Sequence, residues 1–199
     1  MGRLVFLLLM LVLAGCSGDA ARDQDSFGFS IDVPDNWIVL SRQEVRENPD
    51  LFDGLSIEGV SPDVMKNFET RVESGSVEMY FRQEEGVASF ADNINVIKQL
   101  QVLPETAGDL KKYHEALPAE FEKAFGRRLK LHESRLAEVG GRNAVFLEFE
   151  GVVPNTRSMQ YHVAKSKSVS LIFTATCKEA TLEDVRPEFE AMIKSIRFR

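Results

Sequence analysis

The side chains of this 199-residue chain that could do chemistry are few: the thiols Cys16 and Cys177, the imidazoles His114, His132 and His162, and close carboxylates such as Glu84-Glu85 and Glu148 with Glu150. A metal needs Cys, His or carboxylate ligands at short, recurring spacings, and a nucleophile needs a base within reach. Neither pattern is present. There is no His-x-x-x-His pair, no Gly-x-Ser-x-Gly elbow and no glycine-rich phosphate loop. The three imidazoles fall on a predicted helix, a strand end and a strand, and the acid pairs read as solvated turn and strand-face charges. These residues point away from an enzyme and imply no metal and no cofactor. Cys177, at the end of the apolar run Ile172-Phe173-Thr174-Ala175-Thr176, has no assignable histidine partner. It reads as a buried structural thiol, the common state of a free cysteine.

Cys16 is different. Arg3 precedes the unbroken apolar run Leu4-Val5-Phe6-Leu7-Leu8-Leu9-Met10-Leu11-Val12-Leu13, about half the ~20 residues that a spanning helix needs. Positive charge, a short apolar core and a small-residue exit make a cleaved secretion signal. The exit, Leu13-Ala14-Gly15-Cys16, resembles the lipobox of bacterial lipoproteins, in which the cysteine thiol receives a diacylglycerol and becomes the mature N-terminus. The competing reading is an ordinary signal peptide with an incidental cysteine. Acyl chains on Cys16 would each add about 0.8 kcal/mol of membrane affinity per buried methylene, enough for stable anchoring without a membrane span. In lipoproteins of this kind the second mature residue steers sorting. Here it is Ser17 rather than the retaining Asp, which implies the inner leaflet of the outer membrane, facing the periplasm, if the source has two membranes.

The formal charge is −7 and no cationic run exceeds Arg127-Arg128, so nucleic acid is not an expected partner. The organisation expected is a signal over 1–15, a lipid anchor and flexible polar tether over 16–26, and one domain over 27–199. In that domain, residues 27–33 alternate as a strand, Pro34-Asp35-Asn36 turns the chain, and Trp37-Ile38-Val39-Leu40 follows as the second strand of a hairpin, with Trp37 as a core anchor. Residues 41–76 are less regular, with one short helix starting at Ser61-Pro62-Asp63. Leu51, Phe52 and Leu55 lie there among turn formers, either as a loop folded onto the core or as an exposed contact surface.

Strands are expected around Val77, Met79 and Phe81 and around Ile94, Val96 and Ile97. A helix follows over 106–125, ended by Gly126 and kinked or restarted at Pro118. Strands resume at Arg128-Leu129-Lys130-Leu131, and Gly140-Gly141 marks a hairpin. A second hairpin through Lys165-Ser166-Lys167-Ser168 supplies long central strands. A final helix carries the stripe Val185, Phe189, Ile193 and Ile196, with Thr181 and Asp184 as its cap. The sum is α+β: an antiparallel sheet covered by helices.

Five segments in order resemble the PsbP-like and DcrB-like proteins. They are Phe29-Ser30-Ile31-Asp32-Val33-Pro34-Asp35-Asn36-Trp37, Phe90-Ala91-Asp92-Asn93-Ile94-Asn95-Val96, Gly141-Arg142-Asn143-Ala144, Ser170-Leu171-Ile172-Phe173-Thr174-Ala175-Thr176, and the ending Arg186-Pro187-Glu188-Phe189 to Ser195-Ile196-Arg197-Phe198. The resemblance implies an α/β/α sandwich of the PsbP-like type and no shared reaction. It implies binding to other proteins, as in the photosystem II extrinsic subunit, a Ran-binding import factor, envelope proteins and adaptor chaperones.

Two binding roles follow. An adaptor or chaperone for another envelope protein predicts an apolar surface patch, with Leu51, Phe52 and Leu55 as candidate contacts. A carrier of a lipid or small apolar molecule predicts a cavity between sheet and helices. The oligomeric state is not written in the sequence.

Overall fold

The computed structural model describes residues 21–24, 27–48, 62–83 and 92–199. Seven antiparallel strands form the main sheet in the order β3-β4-β5-β9-β8-β7-β6: β3 (Trp37–Leu40), β4 (Val77–Arg82), β5 (Asn93–Leu100), β6 (Leu131–Val139), β7 (Arg142–Glu150), β8 (Thr156–Ala164) and β9 (Val169–Lys178). Three short strands, β1 (Ala21–Gln24), β2 (Phe29–Asp32) and β10 (Arg197–Phe198), make a second sheet. The helices are α1 (Arg42–Glu47), α2 (Pro62–Glu73), α3 (Ala107–Phe125) and α4 (Leu182–Ser195).

Side chains alternate across a strand, so each face of the main sheet collects its own residues. One face carries Val96, Phe173, Ala175 and Met159. It is sealed by Val185, Phe189 and Ile193 of α4 and by Phe29 and Ile31 of β2. The other face carries Val145, Leu147 and Phe149 under Leu117 and Phe121 of α3, and Val77 near the opposite edge with Val45 of α1 and Val72 of α2. The architecture is the expected α+β, α/β/α sandwich.

The Gly140-Gly141 turn joins β6 to β7 as expected, with positive φ at both glycines (55° and 75°). That left-handed geometry matches the twist of a two-residue hairpin. The β8–β9 hairpin also forms, with β9 central in the sheet. Trp37 is buried, its indole N–H donating to Glu188 (2.7 Å).

Several expectations need correction. Trp37–Leu40 is a strand but not the hairpin partner of β2: it pairs with β4, while β2 pairs with β1 and β10. The turn closed by Trp37 N–H on the Pro34 carbonyl (3.0 Å) carries the chain from one sheet to the other. The polar stretch read as tether contains β1, paired from Ala21↔Asp32 to Gln24↔Phe29. Backbone pairing needs no apolar side chains, which is why composition did not reveal it.

Region 41–76 holds α1 as well as α2. Ser41 caps α1, its Oγ accepting from the Glu44 N–H (3.2 Å). Helix α3 runs unbroken through Pro118, with Leu117 and Phe121 buried on either side of it. Packing of that stripe offsets the one lost hydrogen bond. The strand expected from Arg128 is β6, which starts at Leu131. Thr181 does not cap α4 through its side chain; a 3-10 turn over Glu179–Thr181 leads into the helix, and Thr181 Oγ1 donates to the Lys178 carbonyl (3.2 Å).

A candidate binding groove beside helix α3

Helix α3 is fixed at both ends by local chemistry. Thr106 Oγ1 accepts from the Asp109 N–H (3.2 Å), and Gly126 closes the other end in the left-handed conformation. Between these caps, Leu110, Tyr113, Leu117 and Phe121 recur at helical spacing and meet β7, with the Phe121 and Phe149 rings 4.6 Å apart. The helix therefore covers the β6–β7 side of the sheet. Beside it, over β8, β9 and β5, lies a cavity of about 460 Å³, within the ~300–1,000 Å³ usual for small-molecule sites.

The sheet registers build its floor. One cross-strand row runs Ile97, Ile172, His162, Val145, and the next runs Asn95, Thr174, Gln160, Leu147. Both rows are apolar on β7, under α3; the first turns to imidazole on β8 and is apolar again on β9 and β5, and the second runs amide, hydroxyl, amide across β8, β9 and β5. Ile97, Ile172, Leu117 and Phe121 remain as apolar walls.

The polar groups form a chain. Gln160 stands 3.1 Å from Thr174 Oγ1 and 2.8 Å from His162 Nε2. On the other side of the ring, His162 Nδ1 lies 3.1 Å from Gln101, whose amide reaches the Tyr113 hydroxyl at 2.8 Å. Burial pushes the His162 imidazolium down to about 4, so the ring is neutral at pH 7. Burial also raises the Tyr113 hydroxyl above its ordinary value, against the opposing hydrogen bond from Gln101. Among the described residues that line the cavity none is lysine or arginine, and the one carboxylate, Glu120, is exposed. Tyr113 also borders a shallower concavity of about 630 Å³ along the β5–α3 connection.

The other groups singled out in the sequence do not join this constellation, and Glu148, expected as a solvated strand-face charge, is instead buried and paired with Arg157 (2.8 Å) and Arg186 (3.0 Å). His114 Nδ1 is 2.8 Å from Ser134 Oγ on the outer side of α3, and His132 lies on β6. Cys177 is buried on the α4 side, and burial pushes its thiol up to about 12. Among the described residues no group of three or more His, Cys, Asp or Glu could hold a metal. Cys16, Ser17, Leu51, Phe52 and Leu55 lie outside the described residues. Among those described, no helix is long and apolar enough to cross a membrane.

Sequence reading missed the groove because its polar members come from separate elements and form no motif. A signal was present: Ser158, Gln160 and His162 alternate on β8, and Thr174 and Thr176 on β9, in strands that the fold places centrally. Polar residues on both central strands mark a face that packing does not fully close.

A seven-stranded antiparallel sheet between helical layers is the architecture of the PsbP-like proteins, and the chain has that fold. It is similar to cyanobacterial PsbP (CyanoP) from Synechocystis sp. PCC 6803, with a TM-score of 0.53 and 14% identity over 95% of this chain and 99% of that one. LpqN of Mycobacterium tuberculosis, involved in cell envelope biogenesis, aligns with a TM-score of 0.49, 13% identity, and 91% and 86% of the two chains. The Ran-binding protein Mog1p of Saccharomyces cerevisiae aligns at 0.48, 10% identity, and 86% and 90%. No family model matches the chain, and no curated protein matches it in sequence. At these identities the first likeness defines the fold alone.

Proposed function

We propose that this chain is a cell-envelope binding module, held on the membrane by lipid at Cys16 and without catalytic activity, that takes its ligand in the groove beside α3. The observation that carries this reading is a cavity of about 460 Å³ over the central strands, floored by hydrogen-bonding groups and walled by apolar ones. Ligand sites combine an apolar lining with a few placed polar groups in this way. The reading favours a carrier of a small molecule.

A second reading, an adaptor docking another envelope protein, draws on a different observation. Leu100, the last residue of β5, and Val102, on the connection into α3, are 83% and 74% exposed. Exposed apolar neighbours of that kind mark contact surfaces. Sorting by Ser17 would place either activity at the inner leaflet of an outer membrane in a two-membrane source.

Crosslinking in intact cells, followed by affinity purification and mass spectrometry, separates the readings. The comparison is between the wild type, Cys16→Ser and Leu100→Ser/Val102→Ser. A lipid or metabolite that follows the wild type and the surface variant supports the carrier. A protein partner lost in the surface variant supports the adaptor. Labelled palmitate incorporated into the wild type and absent from Cys16→Ser supports the anchor; unlabelled wild type refutes it.

A further inference from the structure

Resting on the carrier reading, we infer that the groove selects an uncharged amphiphile: an apolar chain lying against Leu117, Phe121 and Ile172, and a hydrogen-bond acceptor such as an ester carbonyl or ether oxygen received by a terminal hydroxyl of the polar chain.

The acceptor requirement follows from proton counting along Thr174, Gln160, His162, Gln101 and Tyr113. Both flanking amides are placed with Oε1 toward the ring; a neutral imidazole has one N–H, so one of the two amides turns end for end to present its NH2. If His162 Nδ1–H donates to Gln101, then Gln101 donates to Tyr113, Gln160 donates to Nε2, and Thr174 donates to Gln160. The Tyr113 proton is then uncommitted. If His162 Nε2–H donates to Gln160 instead, every bond reverses and the uncommitted proton is that of Thr174. The contacts that close this chain run from 2.8 to 3.1 Å. In both polarities one hydroxyl at an end of the chain keeps a donor for the ligand, and both hydroxyls line the cavity. A ligand bringing only donors meets that free O–H with no acceptor of its own.

Neutrality follows from what is absent from the lining. A carboxylate or phosphate entering the groove loses water and meets no cation among the described lining residues, none of which is Lys or Arg, while Glu120 stands at the rim. Burying an ion without a partner is far more costly than burying a hydroxyl or ester. An apolar molecule with no polar group fits the walls but leaves the free donor unsatisfied, at the cost of a lost hydrogen bond.

The test uses the full-length, unlipidated protein with monodecanoylglycerol and decanoate at pH 7, each below its micellar concentration. Calorimetry gives affinity, and the side-chain amide NMR signals of Gln101 and Gln160 give location. The expected result is that monodecanoylglycerol binds and moves both amide signals, while decanoate binds at least about tenfold more weakly. Tyr113→Phe/Thr174→Val, which removes both terminal hydroxyls with little change of shape, should weaken monodecanoylglycerol about tenfold. Glu120→Lys, an exposed substitution that adds a rim cation, should raise decanoate affinity. Decanoate binding as tightly as the glyceride overturns the uncharged class and leaves the groove as the site. Unmoved amide signals with both probes overturn the inference itself, while the cell crosslinking still decides whether the chain is a binding module.

Discussion

Two buried titratable groups on opposite faces of the sheet should hide one another in the pH dependence of stability. His162, held neutral by burial, is displaced from its ordinary 6.5 to about 4. Glu78 on β4 is displaced the other way, from 4.5 to about 7: burial raises it, against the Tyr80 hydroxyl that donates to it at 3.2 Å and the nearby Lys98 charge. Between pH 4 and 6.5 the unfolded chain holds a proton on His162 that the native state lacks, so His162 makes stability rise with pH, at about 1.4 kcal/mol per pH unit. Its contribution is lost as the pH falls. Between pH 4.5 and 7 the native state holds a proton on Glu78 that the unfolded chain lacks, so Glu78 makes stability fall with rising pH at a similar slope. Across the shared window from 4.5 to 6.5 the two slopes cancel.

The wild type should therefore be nearly flat there, and each single variant should unmask the other group. Relative to wild type, Glu78→Gln should gain about 2–3 kcal/mol between pH 4.5 and 6.5, and His162→Gln should lose about as much over the same interval. Urea denaturation followed by fluorescence of the buried Trp37 measures this, because the comparison of curves removes carboxylates common to all three proteins. A His162→Gln curve parallel to wild type would show that His162 titrates in the native state near its ordinary value. The floor of the groove would then be wetter than its burial implies.

Two further outcomes check the frame around the groove. Cys177, buried with its thiol pushed up to about 12, should be inert to thiol reagents at pH 8 in the native protein and react at once in urea; rapid native labelling would contradict its structural role. Gly140→Ala should cost about 2 kcal/mol or more and Gly141→Ala about 1 kcal/mol in urea unfolding. Both glycines have positive φ, but only at Gly140 would a methyl meet the Phe198 ring (2.9 Å) and the Ile196 carbonyl (3.0 Å).

The strands and helices were legible where period and punctuation agreed. Gly140-Gly141 fixed a turn, Thr106 and Gly126 bounded α3, and Val185, Phe189 and Ile193 announced the buried stripe of α4, although Ile196, expected to continue it, is extended past the helix end at Ser195. Pairing between strands distant in sequence was not legible. Alternation shows that Trp37–Leu40 is extended but carries no information on whether β2 or β4 lies beside it. β1 and β10 were missed because their pairing with β2 is made by backbone groups in segments of four and two residues. The groove was hidden for a related reason. His162 was set aside for lack of a Cys or His partner, whereas its partners are the amides Gln101 and Gln160, which belong to no motif of metal or acid–base chemistry.

The two faces of the sheet differ in a way that folding alone does not require. On the α4 side, β8 and β9 present Met159, Tyr161, Val163, Leu171, Phe173 and Ala175 to a closed apolar core. On the α3 side the same strands present Ser158, Gln160, His162, Thr174 and Thr176 around the apolar Ile172, although Val145 and Leu147 on the adjacent strand show that this face accepts apolar packing. Extending that apolar surface across β8 and β9 would bury more area at about 25 cal/mol per Å² and remove the desolvation of an imidazole and an amide. A polar chain kept at the centre of a sheet, with a hydroxyl proton left over at its end, is the feature on which the proposed recognition of a ligand beside α3 rests.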